Sequence, residues 1–356
     1  MESIERAGVP DAKKYIRFYN LRNYDRIHMN DTMARVEHDS GVSYEAARRE
    51  HDDIVGAGYD GWGEGTGAVY GQRNEEYDRY QHAAAKIPTK RQYDTVSACY
   101  MDNSVSIKDI PWFGSKESEM DAFVSEELYI HSKVLIADDR VVICGSANLN
   151  DRSQLGYHDS EIAVVIEDPT PIDSVLNGRP YLASKFATSL RRQLFRKHLG
   201  LLPAQDWTKP DANFFAVNKA PNTYDWGSPA DLLVRDVLSH SFTNLWDGTA
   251  KSNTEVFAKA FHCVPTDNVR NWKQYEEFFS KWFVNPDAKG DFKPGPAKYK
   301  YGHVVKEEFP GGVDELKEWL DAVRGTLVEM PLRFMEGVDF AEEGVSLNVL
   351  TEPVYT

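Results

Sequence analysis

The chain has 356 residues, of which 41% are apolar and 12% aromatic, and its formal net charge is −15. These proportions are typical of a folded soluble protein, and the acidic charge argues against a general nucleic-acid-binding surface, which would be basic. The cysteines at positions 99, 144 and 263 are too few and too widely spaced for a disulfide framework, which indicates a reducing compartment. No signal segment and no apolar run near the roughly 18 residues of a membrane span is present, so we expect a protein that is cytoplasmic or peripheral to a membrane.

The first part of the chain divides into a helix end, a strand and a polar insertion. Met1–Pro10 reads as the last turns of a helix, and the alternation in Tyr15–Asn20 predicts a strand. Residues 31–90 are rich in charge, with one short helix predicted at Tyr44–Asp53 and a run of glycines at 56–67. No G-K-[ST] follows these glycines, which favours a mobile surface insertion over a phosphate-binding loop. Residues 104–126 are again polar and predict a loop over the site described next.

A hairpin is predicted from Leu128 to Cys144. Leu128–Ala137 and Val141–Cys144 are apolar runs rich in β-branched residues, and the polar residues 138–140 between them predict a turn. His131 and Lys133, two residues apart on the first strand, would share a face, about 7 Å apart along the backbone. An imidazole that can carry a proton, held beside a fixed ammonium, suits an anionic substrate and above all a phosphate.

The loop after this hairpin supplies further candidates. Gly145 would let a phosphoryl group approach the backbone, and Ser146 and Asn148 would add neutral donors. A histidine that moves protons needs a carboxylate on its other nitrogen, for which Glu161, at the start of a strand predicted at 161–166, is the first choice. Asp159 is its rival. The position of Asp138 at the hairpin turn favours a structural role for this residue over a phosphate contact.

The second half of the chain predicts mainly helices. Leu182–His198 is amphipathic and carries a basic face, for which a solvated surface is favoured and a lipid-headgroup contact is the alternative; this face comprises Lys185, Arg191, Arg192, Arg196 and Lys197. Further helices are predicted at 231–240, 254–262, 268–283 and 313–323, and a strand at 326–330. The aromatic residues that recur at helical spacing in 268–283 predict core packing.

The spacing H-x-K, four residues, Asp138, six residues, G-S-x-N resembles the catalytic HKD motif of the phospholipase D superfamily. Asn150–Ser153 and Asp159–Ala163 resemble the eukaryotic branch of that superfamily. The resemblance implies a phosphohistidine mechanism that involves His131, with Lys133 and Asn148 holding the non-bridging phosphate oxygens. The alternative, a buried hairpin with a satisfied histidine, does not account for the whole pattern.

Segments outside the motif extend the resemblance. Tyr15–Arg22, Gly325–Leu332 and Val354–Thr356 are similar to segments of eukaryotic phospholipases D, and the insertion resembles fungal members. The resemblance implies an α/β fold with a mixed sheet sandwiched by helices. Residues 1–178 would form the second catalytic lobe, with the insertion at about 31–90, and residues 179–356 its C-terminal extension.

Only one such motif is present, because none of the other nine histidines is followed two residues later by lysine. Enzymes of this branch carry two motifs whose histidines face each other, one attacking phosphorus and the other protonating the departing alcohol. The resemblance implies hydrolysis of phosphatidylcholine to phosphatidic acid and choline, with transfer to alcohols, and it implies that this chain is the C-terminal half, inactive alone. His131 is then the expected acid and the histidine of the missing half the nucleophile.

Two alternatives stay open: a single-motif phosphodiesterase or nuclease active as a homodimer, and a truncated phospholipid-binding product without catalysis. The implied partners are a phospholipid membrane surface and either the missing first-motif half or a second copy; nucleic acid is not expected. The chemistry implies no cofactor and no metal, whereas activation by phosphoinositides is implied by the resemblance.

Overall fold

The computed structural model describes residues 2–26, 31–55, 75–87, 107–109, 112, 114–157, 159–203, 226–283 and 299–338. The glycine run at 56–67, Cys99, residues 104–106, 110, 111 and 113 of the loop predicted at 104–126, and the C-terminal residues 354–356 lie outside the described residues. The loop prediction is wrong for residues 116–126, which lie in a helix at Lys116–Ala122 and a strand at Phe123–Glu127. Among the described helices, none is both long and apolar enough to cross a lipid bilayer.

The α/β class expected from the sequence is confirmed, with its strands in three antiparallel sheets of order β2-β1-β8, β3-β4-β5 and β6-β7. The strands are β1 Tyr19–Arg26, β2 Phe123–Glu127, β3 Lys133–Ala137, β4 Val141–Gly145, β5 Ala163–Glu167, β6 Pro171–Leu176, β7 Arg179–Ser184 and β8 Leu327–Glu329. The helices are α1 Glu2–Arg6, α2 Asp31–Ser40, α3 Tyr44–Val55, α4 Glu75–Ala84, α5 Lys116–Ala122, α6 Asp151–Gln154, α7 Lys185–His198, α8 Pro229–Leu233, α9 His240–Phe261, α10 Trp272–Trp282 and α11 Val313–Leu320.

The main core forms where α9 and α11 pack beside the first sheet. Phe257 and Phe261 of α9 lie in one buried cluster with Leu316 of α11 and Phe123 of β2. Helix α9 has 22 residues, far more than the predicted 254–262. Its first turn is capped by Ser239, whose hydroxyl accepts from the Phe242 backbone N–H at 3.2 Å. In the part of α9 that was not predicted, residues 240–253, tertiary packing overrides a weak helix propensity.

The basic face of α7 is not solvated, so the favoured prediction for it is wrong. Arg191, Arg192 and Arg196 are only 5%, 2% and 1% exposed. Arg192 and Arg196 both bond to the fully buried carboxylate of Asp231, and Arg191 holds Asp139 with two bonds of 2.5 and 2.7 Å. The carboxylates stabilise the buried charges, and the same burial removes these arginines from any lipid headgroup.

The insertion after β1 contains more structure than the single helix predicted for it. Helices α2, α3 and α4 pack on a core of their own, formed by Val36, Val42, Ala47, Tyr80 and Ala83. Residues 31–55 and 75–87 are therefore folded into three helices rather than the one predicted, and their character as a mobile surface insertion stays a prediction.

Two other predictions meet the structure in part. The helix predicted at 268–283 forms as α10, but none of its residues is buried and Trp272 is exposed. Its aromatics stack on one another and on Tyr301, as Phe279 does on Tyr275, rather than forming the core. The predicted lobe boundary at residue 178 falls in the turn between β6 and β7, and the division into lobe and extension stays a prediction.

Candidate active site

The hairpin of β3 and β4 forms as predicted, and its turn explains where Asp138 lies. Asp138 and Asp139 have positive φ angles of 51° and 52°, the left-handed pair that suits the twist of a tight hairpin. The Tyr181 hydroxyl donates to the Asp138 carbonyl at 2.7 Å, while the Asp139 carboxylate receives Arg191. The turn is thus fixed from both sides, through the backbone of Asp138 and the side chain of its neighbour.

Strand β3 begins at Lys133, five residues after the predicted start at Leu128. His131 therefore lies in the connection between β2 and β3, with its ring exposed and 5.8 Å from the ring of Tyr129. Lys133 pairs with Gly145, and Gly145 pairs with Ala163, so these positions form one row across the end of the sheet. The segments that carry the other candidates leave the sheet at this same end.

Ser146 and Glu161 are directly bonded at that end. The Ser146 hydroxyl donates to the Glu161 carboxylate, and the Ser146 hydroxyl oxygen accepts from the Ile162 backbone N–H at 3.0 Å. The Ser146 backbone N–H also donates to the Ile162 carbonyl at 2.9 Å. The loop after β4 is thereby joined to the segment that enters β5.

The carboxylate of Glu161 is stabilised in its charged form. Hydrogen bonds from Ser146 and from the Ser153 side chain, together with the positive charge of Lys133, lower the pKa of Glu161. Ser153 was not among the candidates from the sequence, although it sits three residues after Asn150, whose side chain caps α6 by accepting from the Ser153 N–H at 3.1 Å. Glu161 itself lies two residues before β5 and not on the strand as predicted.

The rival carboxylate Asp159 has a different partner. Its two oxygens accept from Arg152, at 2.5 Å from Nε and 2.9 Å from Nη2, in a bidentate pair. Asn148, the last of the predicted phosphate ligands, has an exposed side chain, and its backbone carbonyl accepts from Gln154 at 2.8 Å.

Gly145 allows strands β4 and β5 to approach each other closely. A Cβ at this position would stand 2.5 Å from the Ile162 carbonyl oxygen and 2.9 Å from the Cα of Ala163. Since real Cβ atoms do not come so close to backbone, strand β5 can lie this near to β4 only if residue 145 is glycine. The side of Gly145 on which a Cβ would stand is therefore occupied by β5, and the approach of a phosphoryl group to its backbone stays a prediction.

Apolar side chains are exposed over the sheet that carries the site. Leu135, Ile143 and Val165 form one cross-strand row on one face and are 54%, 36% and 60% exposed. Near the site Tyr129 and Leu149 are 84% and 101% exposed. Apolar surface of this extent on a folded chain is typical of an interaction site.

The end of this sheet can bind and orient an anion, since it combines an ammonium, an imidazole and an amide beside a fixed carboxylate. Over the described ranges, no group of three or more His, Cys, Asp or Glu side chains is arranged to hold a metal ion. The predicted roles of His131, Lys133, Ser146, Asn148 and Glu161 stay predictions at this point.

Comparison with known proteins supports the motif. A family model described as phospholipase D matches residues 103–218. Phospholipase D zeta 1 of Arabidopsis thaliana is 34% identical over 221 residues, which cover 62% of this chain and 18% of that protein. Phospholipase D1 of Homo sapiens is 36% identical over 214 residues, 60% of this chain and 15% of the relative, and a phospholipase D of Phytophthora infestans is 41% identical over 152 residues, 43% and 7%. The match therefore spans less than a fifth of the length of each of these relatives.

Proposed function

We propose that this chain, which belongs to the phospholipase D superfamily, supplies one half of a site that hydrolyses phosphatidylcholine to phosphatidic acid and choline and transfers the phosphatidyl group to alcohols. The observation that carries the proposal is the row Lys133–Gly145–Ala163, which holds the lysine near the Ser146–Glu161 pair and two residues along the chain from His131. The similarity to relatives whose names include phospholipase D supports an activity of this class.

The proposed reaction has two displacements at phosphorus. In the first, a histidine of the partner half attacks phosphorus, an N–P bond forms, and the P–O bond to choline breaks while His131 gives its proton to the choline oxygen. In the second, His131 takes a proton from water or an alcohol, whose oxygen attacks phosphorus as the N–P bond breaks. Lys133 and Asn148 hold the non-bridging oxygens throughout, so the chemistry uses side chains only.

Ser146 has a narrower role in this scheme than phosphate binding by its hydroxyl. A serine hydroxyl has one hydrogen to donate, and that of Ser146 goes to Glu161. Ser146 therefore acts first by fixing the loop that carries Asn148 to the segment that enters β5.

In an enzyme completed with a first-motif half, Glu161→Gln is expected to lower turnover at least about tenfold. This factor corresponds to the loss of one charge-assisted hydrogen bond. The matched control is Asp159→Asn, which weakens the surface pair with Arg152 and should cost less than about fivefold. Choline release measures turnover, and circular dichroism checks folding. The reverse ranking of the two variants would move the supporting role to Asp159.

The partner half is proposed to pack on the exposed row Leu135, Ile143 and Val165. A two-histidine displacement needs a second histidine opposite His131, and this apolar face lies on the sheet that carries the motif. The same face accounts for the alternative of a homodimer, in which the second copy supplies that histidine.

The purified chain alone is expected to associate and to release no choline from phosphatidylcholine vesicles, while a separately expressed first-motif half from a relative should restore alcohol transfer. Val165→Glu should prevent the restoration, because it places a charge on the docking face. Leu232→Glu on α8, where the leucine is 48% exposed, should leave the restoration intact. Activity of the chain alone that follows a dimer in ultracentrifugation would favour the homodimer, and lipid binding without restoration by any half would favour a non-catalytic product.

We further propose that the complete enzyme works at a phospholipid membrane surface and that phosphoinositides regulate it through sites outside the α7 arginines. Burial of Arg191, Arg192 and Arg196 leaves them no access to headgroups.

A further inference from the structure

A cavity of about 460 Å³ opens beside the edge strand β2, on the first sheet rather than on the sheet of the candidate active site. Its walls come from three parts of the chain: Arg22 on β1, residues 124–127 on β2, and Val264 with residues 301–303. Polar groups therefore converge on it from segments that are far apart in sequence.

Arg22 is the unusual member of this wall. Arg22 is only 9% exposed, and its Nη1 lies 3.4 Å from the Ser125 hydroxyl oxygen. That hydroxyl donates its own hydrogen to the Asn23 carbonyl at 3.0 Å and offers the guanidinium only a neutral acceptor. Within the described part of the chain, no carboxylate oxygen lies within the 4.0 Å of an ion pair with Arg22.

The other buried arginines show what Arg22 lacks. Arg192 and Arg196 share Asp231, and Arg191 is held by Asp139. A buried guanidinium carries five N–H donors and one charge, and burying these without a counter-charge is costly. Arg22 lines the cavity, and Ser125 takes only one of its side-chain donors.

Two carboxylates limit how strongly such an anion can bind. Glu127 is the direct cross-strand partner of Arg22, and Glu126 follows Ser125; both line the cavity but are exposed to solvent. Water screens their charges more than it screens the buried guanidinium, so they weaken the attraction without cancelling it. Removing one of these charges should therefore strengthen anion binding, which can be measured.

We propose that this cavity binds a small oxyanion, a phosphate or carboxylate group that accepts two parallel N–H bonds from Arg22. The planar fork of arginine matches both groups. The site is separate from the proposed catalytic centre and does not depend on the proposed activity.

The test uses the full chain with Lys133→Ala, which removes the phosphate contact of the candidate active site. Inorganic phosphate and acetate are titrated separately at constant ionic strength, with binding followed by calorimetry. We expect saturable binding of one anion per chain, weakened about tenfold or more by Arg22→Gln and unchanged by Arg179→Gln, an exposed arginine on β7. Binding of phosphate alone identifies a phosphate site, and binding of both anions identifies a general oxyanion site.

A second variant keeps the proposal testable if Arg22→Gln fails to fold. Glu127→Gln changes an exposed side chain and should tighten anion binding about two- to fivefold, because it removes a competing negative charge. Absence of saturable binding by either anion in the Lys133→Ala chain would overturn the proposal. An affinity that is the same in the Arg22 and Glu127 variants would overturn it as well.

Discussion

Replacing His131 by alanine in the enzyme completed with a first-motif half is expected to lower choline release and transfer to a primary alcohol alike, by about 100- to 10,000-fold. Both reactions need a proton delivered to the departing oxygen and then removed from the incoming one, and His131 is the proposed group for both. The measurement is product formation from phosphatidylcholine vesicles with ethanol present.

His38→Ala, on helix α2 of the insertion, is the matched control and should leave both reactions unchanged. Lys133→Arg should fail as His131→Ala does, since the longer planar guanidinium cannot replace an ammonium at the end of β3. Near-normal turnover by the His131 variant would show that the site has been wrongly assigned.

Replacing Asp231 by alanine is expected to destabilise the folded chain by about 3–5 kcal/mol, because it leaves Arg192 and Arg196 buried without their shared carboxylate. The carboxylate also accepts from the Gly227 backbone N–H at 3.0 Å, so one substitution breaks several bonds. Urea unfolding measures the change in the free energy of unfolding.

The control for Asp231 is Glu255→Ala on α9, which removes a solvent-exposed ion pair with Lys251 and should change stability by less than about 0.5 kcal/mol. Equal stability of the two variants would show that the Asp231 cluster does not stabilise the fold. Because the bonds of the Asp231 carboxylate go to α7 and to the backbone just before its own helix, and not to the candidate site residues, a loss of activity with Asp231→Ala should follow the loss of folded protein.

The motif hairpin could be predicted from the sequence because its signals are local. The apolar run 141–144 and the polar residues 138–140 suffice to predict β4 and the turn, although Tyr181 and Arg191 also hold the turn in the folded chain. The start of β3 could not be predicted in this way. Residues 128–132 have the composition of a strand, but the ladder with β4 ends at the Lys133–Gly145 pair.

The burial of the α7 arginines could not be predicted, because it depends on partners that are distant in sequence. The pattern of Arg191, Arg192 and Arg196 is that of a solvated helix face, and only the carboxylates of Asp139 and Asp231, 35 to 52 residues away, make their burial tolerable. The same holds at the site, where the bond between Ser146 and Glu161 spans 15 residues and is made by the approach of β5 to Gly145.

The antiparallel pairing of β1 with β2 allows the segment between these strands to vary in length. Arg26 and Phe123 are direct partners, so residues 27–122 together form the connection of a single hairpin. The register of the two strands is set by their own ladder, and the entropy of closing such a connection grows only slowly with its length. Helices α2–α4, which have a core of their own, can therefore be lengthened, shortened or replaced over evolutionary time while the strand that leads into His131 keeps its place.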